Sequence, residues 1–188
     1  MDDLLIRRVI RRAENPKTRT DLGNNTAIFA PISDAEILSA EAALGFSLPE
    51  ALKQLYLRVG NGGFGPGYGV LGIGSGARDD MGEDVIGAYT VFAERDTHNE
   101  QWEWPVGLIR LCHWGCAIYS CVDCLSDDAP VVLWDPNNYL EGNAPTMAMA
   151  QEAPSLEDWI RRWSDGDNLW DSIAALITQM PPPRGRET

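Results

Sequence analysis

The chain has 188 residues and a mass of 20.7 kDa, a length that suits one domain with a sizeable core. Hydrophobic residues make up 44% and charged residues 23%, so the composition is that of a globular protein. Fifteen basic against 28 acidic residues leave a net charge of −13, which disfavours binding to nucleic acid or to an anionic membrane surface and favours a basic protein partner. Seven tryptophans and a rich aliphatic content exclude intrinsic disorder. No apolar run is long enough to span a bilayer, and the arginines within MDDLLIRRVIRR are unlike a secretory signal; the expected location is cytoplasmic.

In chain order, residues 3–13 read as an amphipathic helix with Leu5, Ile6, Val9 and Ile10 on one face. Residues 14–31 read as an arm, so that 1–31 precede the main domain. Ser33-Asp34-Ala35-Glu36 is a capping box, from which a helix should run to Leu44 and stop at Gly45. Pro49 suits the first turn of the next helix, which Asn61-Gly62-Gly63 ends. Residues 60–76 hold nine of the 18 glycines, with room for a short strand from Val70 to Ile73. A helix is expected over 84–95. Three β-prone runs at 106–113, 116–123 and 130–135 have the form of an antiparallel meander. Ser155 begins a C-terminal helix, interrupted at Asp165-Gly166-Asp167 and resumed over 168–180. The main domain should span 32–180, and 181–188 should be disordered. The fold class is α+β, a single domain whose antiparallel meander is flanked by N-terminal helices and a C-terminal helix.

Charge is unevenly spread. Residues 1–20 carry +3, whereas 79–103 hold eight acidic residues against Arg95 alone. Asp79, Asp80, Glu83, Asp84, Glu100 and Glu103 are candidates for steering a basic partner. Trp102 and Trp104 lie in the same stretch and read either as binding anchors or as core. Reversing the charge of Asp79, Asp80, Glu83 and Asp84 together should slow association and leave folding intact.

Chemistry-bearing motifs are sparse. Cys112, Cys116, Cys121 and Cys124 fall in one window beside His113, which allows a zinc reading, but the spacing lacks two separated ligand pairs. On strands, Cys121 and Cys124 would point to opposite faces, so packing is the stronger reading, and no disulfide is expected in a reducing cytosol. Adjacent Cys112 and His113 would likewise point apart, which removes the simplest nucleophile–base pair. Gly72-Ile73-Gly74-Ser75-Gly76 lacks the spacing and lysine of a phosphate-binding loop, and Asp79–Asp84 does not match an EF-hand. No cofactor and no enzymatic centre are expected.

The run ISDAEILSAEAALGFSLPEALKQLYLRVGNGGFGPGYGVLGIG resembles the opening of the SUKH superfamily, which includes the yeast cell-wall-synthesis regulator domain and many bacterial relatives. Leu48, Pro49, Leu52, Leu55, Tyr56, Asn61, Gly62 and Gly63 carry the likeness. Trp104-Pro105, Trp114-Gly115-Cys116, Val131–Asp135 and the closing LEDWIRRW extend it over roughly 32–177. The resemblance implies a non-catalytic binding domain. Many bacterial members look like immunity proteins that neutralise a toxin, often a nuclease, by stoichiometric binding; the alternative it implies is a regulatory or scaffold protein of the yeast type.

Overall fold

A computed structural model describes residues 1–23, 27–94 and 99–180. Four of its six described α-helices begin where the sequence supplies a side-chain acceptor for the first free amides. Helix α1 (Asp3–Glu14) is capped by Asp2, which accepts the Leu5 N–H at 2.7 Å. Helix α2 (Asp34–Leu44) has the full capping box: Ser33 Oγ accepts the Glu36 amide, and Glu36 accepts the Ser33 amide at 2.8 Å. It ends at Gly45, whose φ of +83° is left-handed. Helix α3 (Glu50–Arg58) starts one residue later than expected, because Pro49 is extended and stands before the helix rather than in its first turn.

Helix α4 (Val85–Ala93) is capped by Asp84 and is shorter than the expected 84–95. Arg95 and Asp96 lie outside the described residues. The meander follows as β1 (Leu108–Gly115), β2 (Ile118–Asp123), β3 (Val131–Trp134) and β4 (Met149–Ala153), in spatial order β1-β2-β3-β4 and antiparallel throughout. The fourth strand, MAQEA, has little intrinsic β preference; its pairing with β3 makes it a strand. Ser155 accepts the Asp158 amide at 3.0 Å and starts α5 (Leu156–Asp165). Gly166, at φ +98°, ends it, and α6 (Leu169–Gln179) completes the α+β fold. The C-terminal flank is thus two helical segments on either side of the expected interruption at Asp165–Asp167. The expected tail, 181–188, lies outside the described residues.

The sheet separates two apolar clusters. Ile109, Leu111, Val122, Val131 and Leu133 face α1, α3 and α5, where they meet Leu5, Ile6, Leu52, Leu55, Trp159 and Trp163. The alternate residues Leu108, Tyr119, Cys121 and Trp134 form a second cluster on the other face with Trp104 and Ala148. Helix α4 serves both: Val85 and Ala88 enter the main cluster, and Phe92 packs against the second. A bulge in β1 shifts the register between Arg110 and Cys112, so Leu111 and Cys112 both join the main cluster.

Val70–Ile73 is not a strand. It covers the edge of β1 through the bonds Leu71 N–H to Leu111 O (2.8 Å) and Tyr68 N–H to His113 O (2.9 Å), with a single bridge at Val70. The ladder stops there because Asn61 claims the next residue: its amide donates to Ile73 O at 2.7 Å and accepts from Ile73 N–H at 2.8 Å, both buried. Gly63, two residues after Asn61, has a φ of +80°. A Cβ there would stand 2.1 Å from Ala27 O, so neither the conformation nor the space admits a side chain. The N-terminal segment lies against the same stretch through Leu22 N–H to Gly67 O at 2.8 Å.

Two predictions concern this framework. Asn61→Ala leaves a buried donor and a buried acceptor without partners, and should lower unfolding free energy by about 2–4 kcal/mol in urea titrations. The second concerns Glu152 on β4, which accepts from Ser120 Oγ and Trp159 Nε1, both at 2.5 Å. Burial pushes its carboxyl up to about 7, with these two hydrogen bonds opposing the rise. The folded state therefore retains a proton that the unfolded chain releases near its ordinary pKa of 4.5. Stability from this group is full below pH 4.5 and is lost as pH rises to about 7, at on the order of 1 kcal/mol per pH unit. Denaturation at pH 5 and pH 8 should show this decline in the native protein, and Glu152→Gln should remove it.

Candidate functional site

The second cluster does not close over itself. Between α4, β1–β3 and the segment after β3 lies a cleft of about 400 Å³. Its walls are Phe92 from α4, Trp102 from the segment before β1, Tyr119 from β2, Trp134 from β3 and Tyr139. Strand register places Tyr119 directly opposite Trp134. The rings meet mostly edge to face: Trp102 and Trp134 at 83° with centroids 6.3 Å apart, Trp102 and Tyr139 at 89° and 5.5 Å. Met81 and Val91, both well exposed, stand at the rim with Glu83.

At the base lies Arg110. Its guanidinium carbon is 4.4 Å from the Phe92 ring centre and 4.6 Å from that of Tyr119. Its Nη2 donates to Ala88 O at 3.3 Å and pairs with Asp79 Oδ2 at 3.3 Å. Both side chains are almost fully buried. Asp79 Oδ1 accepts the amides of Met81 (2.9 Å) and Glu83 (2.8 Å), so the loop winds around this carboxylate. Arg110 Nε and Trp134 Nε1 are buried without a hydrogen-bond partner.

The acidic stretch is thereby divided. Asp79 and Asp84 are engaged within the fold. Asp79 neutralises Arg110, and Asp84 accepts from the amides of Gly87 (2.9 Å) and Gly74 (2.6 Å), capping α4 and tying it to the preceding loop. The expectation that charge reversal at all four loop positions leaves folding intact is overturned by these contacts. Asp80 is more than half exposed; its Oδ1 accepts from Tyr119 Oη at 3.4 Å and its Oδ2 lies 3.7 Å from His113 Nε2. Glu83 is half-buried at the cleft, and its carboxylate makes no hydrogen bond or ion pair with any described residue. Glu100 and Glu103 are exposed on either side of Trp102.

The two tryptophans have different places. Trp104 is core, 4% exposed, and its indole donates to Leu108 O at 2.7 Å. Trp102 is half-buried, stacks on Trp104 at 6.4 Å and lines the cleft, its indole held by Phe92 O at 3.0 Å. The structure thus joins Glu83 and Trp102 in one cavity, with Asp80 beside its Tyr119 wall. Sequence reasoning missed Phe92, Arg110, Tyr119, Trp134 and Tyr139. Strand alternation already put Tyr119 and Trp134 on the face opposite Val122 and Leu133, which was the available signal.

The cysteines do not converge. Cys112 is in the main cluster and Cys121 in the second, Cys124 packs against the main one, and Cys116 is exposed in the β1–β2 turn. Burial pushes the thiols of Cys112, Cys121 and Cys124 up, away from the reactive thiolate form. His113 lies on the opposite face of β1 from Cys112, its ring 5.0 Å from Tyr119. Among the described residues, no three His, Cys, Asp or Glu side chains come together where they could hold a metal ion. No described helix is long and apolar enough to cross a membrane.

A family model described as SMI1 / KNR4 family (SUKH-1) matches residues 31–162, a span that contains every residue lining the cleft. No curated protein matches the chain.

Removing the charge of Asp79 tests the base of the cleft. Asp79→Asn keeps the loop geometry but strands the Arg110 cation, and should cost about 3–5 kcal/mol in chemical denaturation. Adding Arg110→Met should restore most of that loss, since an apolar chain of similar length needs no counter-ion.

Proposed function

The chain belongs to the SMI1/KNR4 family (SUKH-1), and from this we propose that it is a non-catalytic protein-binding domain: an immunity protein that neutralises a cognate bacterial toxin by stoichiometric binding. The observation that carries this reading is the open aromatic cleft beside exposed carboxylates. Partly exposed aromatic side chains in a preformed concavity are what protein partners use as anchors. The net charge of −13, the exposed Asp80, Glu100 and Glu103 and the half-buried Glu83 would accelerate encounter with a basic surface. A nuclease is a fitting target, because a cleft built to attract phosphate attracts carboxylates by the same field. The buried thiols and the separation of Cys112 from His113 support a binding role rather than covalent catalysis.

A tagged pull-down from the native host, read by mass spectrometry, tests this. The expected result is a stoichiometric secreted protein with a basic C-terminal toxin domain, whose binding weakens roughly 30-fold or more with Trp102→Ala, as for a central aromatic anchor. Recovery of housekeeping proteins alone would overturn the immunity reading and favour a regulatory protein of the yeast type.

A further inference from the structure

We propose that the cleft receives an arginine side chain of the partner protein, its guanidinium paired with Glu83 and its plane laid on the aromatic walls. This rests on the protein-binding reading and names the group the partner presents.

Three observations converge on it. The first is the wall chemistry. Phe92, Trp102, Trp134 and Tyr139 surround one cavity of about 400 Å³, and ring faces attract cations. The second is the state of the charges. Arg110 is already neutralised by Asp79, and Asp84 is committed to backbone amides. Asp80 is engaged by Tyr119 and lies near His113. Glu83 alone in this loop has a carboxylate without a partner among the described residues, and it is half-buried at the cleft wall, its carboxylate lying over Gly87 of α4. The cleft therefore offers one uncompensated negative charge and no uncompensated positive one. The third is a precedent inside the molecule: the Arg110 guanidinium sits between Phe92 and Tyr119 at 4.4 and 4.6 Å. A second guanidinium would repeat that contact on the open side.

Arginine fits better than lysine. Its head is planar, weakly hydrated and able to bind a carboxylate with two parallel bonds, whereas an ammonium is a compact and strongly hydrated charge. The exposed rim residues Met81 and Val91 supply apolar contact for the methylene stem.

The test uses the intact protein and a small probe. N-acetyl-arginine methylamide is titrated while the indole N–H resonances of Trp102 and Trp134 are followed by NMR. Saturable shifts with a dissociation constant of about 1–10 mM are expected, the range open to a few well-placed ligand atoms. Glu83→Gln, which disturbs no described hydrogen bond, should weaken binding roughly five- to tenfold while the rest of the spectrum stays in place. The lysine analogue should bind more weakly, and the norleucine analogue should give no saturable shift. No saturable shift with the arginine probe, equal affinity in Glu83→Gln, or equal binding of either analogue would overturn the proposal. The outcome is independent of the pull-down. A cleft that takes the probe in a protein with no toxin partner loses the immunity reading alone. A toxin complex formed by a cleft indifferent to the probe loses the arginine alone.

Discussion

The buried cation of Arg110 is the constraint around which the cleft face of the sheet is organised. A guanidinium remains charged in any protein environment, and removing it from water is tolerable only beside a counter-ion and polarisable surface. Phe92 and Tyr119 supply the surface, and Asp79 supplies the charge. That requirement fixes the path of the whole 79–84 loop. The loop has to bring a carboxylate inward, and its own amides at Met81 and Glu83 both bond to Oδ1 of that carboxylate, while Oδ2 faces the guanidinium. With Asp79 turned in, Glu83 is left at the cavity wall.

The neighbouring segments hold this loop from both sides. Upstream, the Asn61 side chain replaces a strand partner for Ile73 and ends the glycine-rich stretch at a defined point on the edge of β1. Downstream, Asp84 caps α4 and accepts from Gly74, so the helix that carries Phe92 is tied to the same turn. On the far face of the sheet, Trp114 donates to Ser120, and Ser120 and Trp159 donate to Glu152, which joins β1, β2, β4 and α5 through one buried polar chain. The faces thus divide the work. The helical side holds the larger core, and the other is left partly uncovered, with aromatic side chains that a partner can complete.

Much of this architecture was legible in the chain. The capping box at Ser33–Glu36, the stops at Gly45 and Gly166 and the three main strands all follow from local rules, because each depends on residues within one or two turns of one another. The Asn-Gly-Gly turn was legible for the same reason. What local rules missed depends on distant partners. MAQEA becomes β4 only because β3 offers its edge. Val70–Ile73 has strand-like residues but fails to become a strand because Asn61, twelve residues before Ile73, takes the hydrogen bonds a ladder would need. The cleft was half visible: Glu83 and Trp102 stood out, whereas Arg110 did not, since a lone arginine in an apolar strand carries no mark of the carboxylate it will meet.

The sequence by itself determined the α+β class, the order of nearly all the elements, the acidic character of the surface and the family to which the chain belongs. Each of these is a property of composition or of short-range pattern. Only the tertiary structure decided which acidic residues are structural and which are available, because Asp79, Asp80, Glu83 and Asp84 are chemically alike along the chain. They differ only in what the fold sets beside them: a buried guanidinium for Asp79, a tyrosine hydroxyl for Asp80, free helix amides for Asp84, and for Glu83 an aromatic cavity.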